Sequence, residues 1–182
     1  MKTLKTLPLV FLALAVISCA STTETPADTS AALNTSIEDI VAAGKAIPVD
    51  GMTSTGQPTE EALKVFADSG YVAVIDLRTA DEDRGIDEPA AVEAAGMSYI
   101  SLPVAGADGV TFENSSKLDE YLASFDGPVV VHCGAGNRVG ALLALRQSQK
   151  GDDDETAVVY GKKGGLTRLE PKVREVLEAD PN

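Results

Sequence analysis

The sequence has no tryptophan, only four phenylalanines and four tyrosines, one histidine and two cysteines among 182 residues. Aromatics make up 4% and hydrophobic residues 44%, so a folded core has to be filled by Val, Ile, Leu and Ala. A single histidine leaves too few partners for a metal site or for a Cys-His pair of the protease kind. Basic residues are also scarce: 15 Lys and Arg stand against 28 Asp and Glu, for a net charge of −13. Such a surface repels a phosphodiester backbone, and no nucleic-acid partner is expected. Any anionic substrate has to be captured by a local positive site against the overall field. The chain holds no Walker loop, dinucleotide fingerprint or metal-ligand cluster, so no cofactor and no metal are expected.

Long hydrophobic runs are missing too. The run Leu7–Ile17 falls short of the roughly 20 apolar residues of a membrane-spanning helix. Preceded by Lys2 and Lys5, it reads as the apolar centre of a signal peptide. Val16-Ile17-Ser18-Cys19 resembles a bacterial lipobox. The resemblance implies removal of residues 1–18 and lipidation of Cys19, whose acyl chains would anchor the protein at about 0.8 kcal/mol per buried methylene. No Asp adjoins Cys19, which by the same resemblance favours the outer membrane, facing the periplasm. The alternative is an ordinary signal peptide cleaved near Ala20. Residues 19–36, small, polar and aperiodic, read as a flexible tether, and 37–182 as one domain. Membrane contact is expected through the anchor alone. With Cys19 lipidated, Cys133 is the single free thiol and no intrachain disulfide can form.

Along the domain, strand and helix signals alternate. Ile47-Pro48-Val49 reads as a weak strand. Thr59 caps a helix that carries Glu60 and Glu61 in its first turn, presents Leu63, Phe66 and Ala67, and stops at Gly70. Tyr71–Leu77 is a nearly continuous apolar run, the mark of a buried parallel strand. A charged loop over 78–87 leads to a helix over Glu88–Ala95, and a strand over Tyr99–Leu102 stops at Pro103. Asn114 or Ser115 is expected to cap the next helix, with Leu118, Tyr121, Leu122 and Phe125 on its apolar face. Val129–Val131 is a further buried strand, and helices are expected over Val139–Gln149, Glu155–Gly161 and Pro171–Ala179. The alternation predicts a three-layer α/β fold, a central, mostly parallel sheet flanked by helices.

The chemistry concentrates in His132-Cys133-Gly134-Ala135-Gly136-Asn137-Arg138, where a buried strand gives way to small residues and then to a helix. Ligands of open α/β sheets bind at this edge. Gly134, Ala135 and Gly136 carry little side chain, so their N–H groups are able to converge on one oxyanion. The helix N-terminus adds partial positive charge, and Arg138 offers a two-pronged contact to a tetrahedral anion. Cys133 at the centre of these groups is favoured as thiolate, the form that attacks a phosphoryl group. Asn137 is expected to take a left-handed backbone. His132 neighbours Cys133 on a strand and so faces the other way; it is read as a buried residue that hydrogen-bonds and braces the loop.

This loop resembles the signature loop of protein tyrosine phosphatases and dual-specificity phosphatases. Together with Ser54-Thr55-Gly56-Gln57-Pro58-Thr59, Val74-Ile75-Asp76-Leu77-Arg78 and Leu102-Pro103-Val104, it resembles the bacterial phosphatase-like family called beta-lactamase hydrolase-like (DUF442), over about residues 45–170. The resemblance implies a phosphatase-like fold, Cys133 as nucleophile, Arg138 as anion clamp, and Gly134, Ala135, Gly136 and Asn137 as the phosphate loop. The leaving oxygen needs an acid. Asp108, in the loop after a strand, is the first choice, with Asp81, Glu82 and Asp83 as rivals. Arg78 reads as a salt-bridge residue.

Two departures keep other functions open. The loop has one residue fewer between Cys and Arg than phosphatases proper, a length similar to that of rhodanese sulfurtransferases. Val139 replaces the Ser or Thr that helps the thiolate leave. A phosphatase acting on a phosphorylated protein or small phosphate ester therefore stands beside a sulfurtransferase carrying a Cys133 persulfide and a phosphate- or sulfate-binding module without turnover. The sequence leaves the oligomeric state open. If Cys19 carries the anchor, Cys19→Ala moves the protein from membranes to the soluble fraction on cell fractionation; unchanged membrane association contradicts the lipobox reading.

Overall fold

A computed structural model describes residues 46–49, for these the backbone alone, and residues 52–179. The expected signal peptide, Cys19, the tether and the first residues of the expected domain lie outside the described residues. Five strands form one sheet in the order β1-β2-β5-β3-β4: β1 (Ala46–Val49), β2 (Met52–Thr55), β3 (Ala73–Asp76), β4 (Ser98–Ser101) and β5 (Val129–His132). Only β1 runs antiparallel, beside β2; all other neighbours are parallel. Pro48 is tolerated in β1 because that strand sits at the sheet edge. The apolar runs of β3 and β5 lie centrally, which is why they lack a polar face.

Side-chain alternation splits the sheet into two packed faces. Ile75, Leu77, Val129 and Val131 join Leu118, Leu142 and Leu143 in one cluster. Val74 and Val130 point the other way, onto Leu63, Phe66, Val92 and Met97. The second face is covered by α1 (Glu60–Asp68) and α2 (Glu88–Ala94), the first by α3 (Phe112–Ala123) and α4 (Asn137–Gln149). Two further helices, α5 (Asp154–Lys163) and α6 (Glu170–Ala179), pack against α4 around Ala141, Leu145, Val158, Val173 and Leu177. Helix α4 is therefore enclosed by the sheet and by other helices, and Val139 through Leu145 are all buried.

Caps follow ordinary chemistry with one correction. Thr59 accepts from Ala62 N as expected, but α3 is capped by Thr111, whose side chain accepts from Asn114 N, rather than by Asn114 or Ser115. The helix starts earlier because Thr111 supplies the oxygen before Phe112. The strand β2 had no sequence signal of its own: Met52–Thr55 is polar, yet buried throughout.

Close approach of α4 and α5 depends on glycine. A Cβ at Gly140 would lie 2.6 Å from Gly161 O and press on the Leu166 backbone. Gly140→Ala is expected to cost about 1–3 kcal/mol through overpacking, read as a lowered denaturant midpoint with an unchanged slope.

Candidate active site

The chain leaves β5 at His132 and turns through Gly134, Ala135 and Gly136 into α4. Gly136 takes the left-handed conformation, φ 78°, as the residue before the helix, and no side chain caps that helix. This corrects the expectation for Asn137, which is already helical. Glycine holds the strained position because it has no Cβ to clash. The first-turn N–H groups of α4 thus have no side-chain acceptor, and a helix start of this kind accepts an anion.

The exit of β2 fixes the loop from the side. Cys133 N donates to Thr55 O at 3.4 Å and Gln57 N to Gly134 O at 3.4 Å. Gly56 bridges to Ala135, and a Cβ on Gly56 would sit 3.1 Å from Gly134 O. The Thr55-Gly56-Gln57 segment is therefore a splint for the loop, and the glycine permits the contact.

Arg138 is held by a carboxylate from a different part of the chain. Its Nη1 and Nη2 donate to Glu82 Oε1 and Oε2 at 2.6 and 2.7 Å, and Nη1 also reaches Val104 O at 3.0 Å and Leu77 O at 3.4 Å. Nη1 is thereby saturated. The Nε–H and one Nη2–H remain for an incoming anion. Glu82 in turn accepts from Thr79 N at 2.9 Å and Arg78 Nε at 3.2 Å, while Arg78 also donates to Gln57 Oε1 and to Asp83 O. Arg78 is a structural ion-pair residue, as read from the sequence. Donation from Arg138 holds the Glu82 carboxyl far below the usual carboxylate range, against the opposing effect of burial. Glu82 raises the basicity of Arg138, and the neighbouring Cys133 sulfur adds to the effect.

Cys133 is 1% exposed and reaches solvent through a cleft of about 650 Å³ that it lines with Thr79, Asp81, Glu82, Gly134, Ala135, Asn137, Arg138 and Arg168. Its sulfur sits on the α3–α4 side of the sheet; His132 lies on the opposite side, fully buried. His132 Nε2 is 2.9 Å from Glu88 Oε1 and 3.6 Å from Asp76 Oδ1. The contact is close but poorly aligned, and neither ring nitrogen makes a hydrogen bond among the described residues, which corrects the expectation that His132 hydrogen-bonds. Arg84 Nη2 lies 2.7 Å from Asp76 Oδ2 and its Nε 3.6 Å from Glu88 Oε2, which balances part of the buried negative charge. Tyr99 OH also donates to Asp76, at 2.8 Å. Among the described residues, Asp76, Glu88 and His132 form the one grouping able to offer three metal-ligand atoms, and the Arg84 guanidinium already engages both of its carboxylates.

One expected site residue takes another position, and a second is engaged elsewhere. Asp108 is absent from the residues lining the Cys133 cleft; it lines a separate one with Val110, Phe112 and Lys172. The chain bends back at Gly106, φ 51°, and Gly109, which carries Asp108 away while Ala105 and Gly106 stay at the Cys133 cleft. Asp81 does line that cleft, its carboxyl kept low by a hydrogen bond with the Thr79 hydroxyl. Asn137 faces the cleft, but its Oδ1 accepts from Thr167 N at 2.8 Å, Thr167 Oγ1 at 3.2 Å and Leu169 N at 3.4 Å. Sequence reasoning missed Glu82 as the partner of Arg138, and it missed the 164–169 segment. Neither had a sequence signal, because both contacts join segments far apart in the chain.

A family model described as DSP-PTPase phosphatase fused to NAD+ kinase matches residues 32–168. The beta-lactamase hydrolase-like protein of Xylella fastidiosa (strain Temecula1) is 35% identical over 97 residues, 51% of this chain and 22% of that protein. Its namesake in Agrobacterium fabrum is 30% identical over 120 residues, 63% of this chain and 28% of that protein. The chain thus spans less than a third of the length of these relatives. Among solved structures, a DUF442 protein of Shewanella putrefaciens CN-32 superposes with TM-score 0.56 at 21% identity, covering 80% of this chain and 97% of that one. TpbA of P. aeruginosa in complex with pTyr gives TM-score 0.57 at 18% identity, covering 75% and 90%. At these identities the structural likeness carries the fold, while the family match covers most of the domain. The chain belongs to the DSP-PTPase phosphatase family that this model describes.

Proposed function

We propose that this protein is a cysteine-dependent phosphatase, acting on phosphotyrosine, phosphoserine or a small phosphate ester through a phosphocysteine intermediate. The observation that supports it most is the meeting of Cys133, Arg138 and the uncapped start of α4 in one cleft. The free N–H groups of Arg138 and the loop amides hold three phosphoryl oxygens. The Cys133 thiolate attacks phosphorus in line, the S–P bond forms as the P–O bond to the leaving group breaks, and an acid delivers a proton to the departing oxygen. Water then attacks the phosphocysteine and releases phosphate and the thiolate.

Asp81 is the acid favoured by position, since it lines the cleft and Asp108 does not. Its carboxyl is low in the free protein; a phosphate dianion beside it acts in the opposite direction by like-charge repulsion. Val139 is fully buried in the core and offers no hydroxyl to the departing sulfur, so hydrolysis of the intermediate is the slower half of the cycle.

The short loop favours a second reading, sulfur transfer by a Cys133 persulfide. The two separate in one pair of assays: hydrolysis of an aryl phosphate, and sulfur transfer from thiosulfate to cyanide. The phosphatase reading expects aryl phosphate turnover that falls by at least ~10³ in Cys133→Ser and by ~10²–10³ in Arg138→Lys, since an ammonium cannot reproduce the fork. Asp81→Asn is expected to lose about 10² on substrates with poor leaving groups, more than Asp108→Asn. Thiocyanate formation without aryl phosphate turnover supports the sulfurtransferase instead.

Glu82 positions Arg138, and its role carries a pH signature. Because the carboxyl titrates lower in the folded protein than its ordinary value of 4.5, it stabilises the native state above that pH, and the contribution disappears as pH falls through the folded value. Glu82→Gln is therefore expected to lower both stability and phosphate affinity at pH 7, the latter by about tenfold. The stability gap to wild type should close as the pH of denaturant titrations is taken below 4.5; a pH-independent gap contradicts the ion pair as its cause.

A further inference from the structure

We propose that Arg168 is a second anion subsite in the wall of the Cys133 cleft, so that the protein selects phosphate monoesters bearing a further anionic group. The proposal rests on the phosphatase reading for its substrate class and adds a specificity residue to it.

Arg168 lines the same cleft as Cys133 and Arg138. Every other arginine among the described residues holds a carboxylate: Arg78 and Arg138 hold Glu82, Arg84 holds Asp76, Arg146 holds Asp119 and Arg174 holds Glu155. Arg168 has no such partner among the described residues, on a chain where acidic residues outnumber basic ones nearly two to one. No described residue pairs with its guanidinium, so an incoming anion has no such pair to break.

Its backbone is registered on the catalytic loop. The residues on either side, Thr167 and Leu169, both donate their N–H groups to Asn137 Oδ1, at the first position of α4. Gly165 lies against the same loop, where an added Cβ would be 3.0 Å from Gly136 O. A random surface arginine has no reason to be pinned on both flanks to the residue that neighbours the anion clamp. The cleft also exceeds the needs of one phosphoryl group at about 650 Å³, which leaves room for a substrate that spans both cations. A guanidinium in such a place discriminates by geometry as well as charge, because it grips carboxylate and phosphate in two-pronged fashion.

The second anionic group has two sources, an acidic residue beside a phosphorylated one or a second phosphate on a small molecule. Calorimetry on Cys133→Ser separates them with four probes: phosphotyrosyl peptides flanked by Glu or by Ala, and a hexose bisphosphate beside the hexose monophosphate. The subsite predicts about tenfold tighter binding of the doubly anionic member in at least one pair, and the identity of that pair names the source. In Cys133→Ser/Arg168→Ala the preference should shrink to within about twofold, with Arg168→Lys intermediate; the exposed side chain makes an unchanged melting temperature the check on folding. Equal affinity within both pairs, or a preference that survives Arg168→Ala, overturns the subsite. Aryl phosphate turnover by the wild-type protein is read alongside. An Arg168-dependent preference without turnover overturns the phosphatase reading and keeps the subsite, whereas turnover without preference does the reverse.

Discussion

The site depends on the double contact between Glu82 and Arg138. It ties the loop after β3 to the start of α4, two segments far apart in sequence, and it decides which donors of the guanidinium face the sulfur. A free arginine beside a thiol would sample many rotamers and lose affinity to entropy. Here two prongs are fixed on a carboxylate and one nitrogen is further held by the Val104 and Leu77 carbonyls, so the remaining donors are set before substrate arrives. Preorganised donors of this kind need no reorganisation during reaction, which is the main electrostatic route to rate.

The same constraint explains how an acidic protein can bind an anion. Glu82 does not repel substrate from the cleft, because Arg138 and Arg78 both donate to it. The uncapped helix start supplies donors whose charge is partial and fixed. Below the sheet a second set of charges joins Asp76, Glu88 and His132, all fully buried, to the partly exposed Arg84. It lies directly beneath the loop because His132 and Cys133 alternate across β5, and it connects the end of β3 to α2 on the face away from substrate.

Much of this was legible in the sequence. The apolar runs of β3 and β5, the glycines after Cys133 and the family's four short motifs placed the loop at the sheet edge. Thr59 was readable as a cap because a hydroxyl before two glutamates has one good use. What escaped was whatever depended on tertiary partners. The strand β2 is polar in composition and buried only because neighbours cover both faces. Glu82 looked like an acid among acids; its identity as an anchor follows from Arg138 lying across the cleft, which no spacing encodes. Asp108 looked well placed after a strand, but the turn through Gly106 to Gly109 carries it to another cleft. Asn137 was read as a backbone accommodator, whereas its side chain staples the 164–169 segment and Gly136 takes the left-handed conformation.

The central claim is that the Cys133 sulfur itself carries the phosphoryl group. The most direct measurement is mass spectrometry of the wild-type protein quenched during turnover of an aryl phosphate, with the digest searched for the peptide containing Cys133. The slow release imposed by buried Val139 favours accumulation of the intermediate, and a phosphoryl adduct on that peptide is the predicted result. Turnover with the cysteine unmodified, or a persulfide in place of the adduct, contradicts the account.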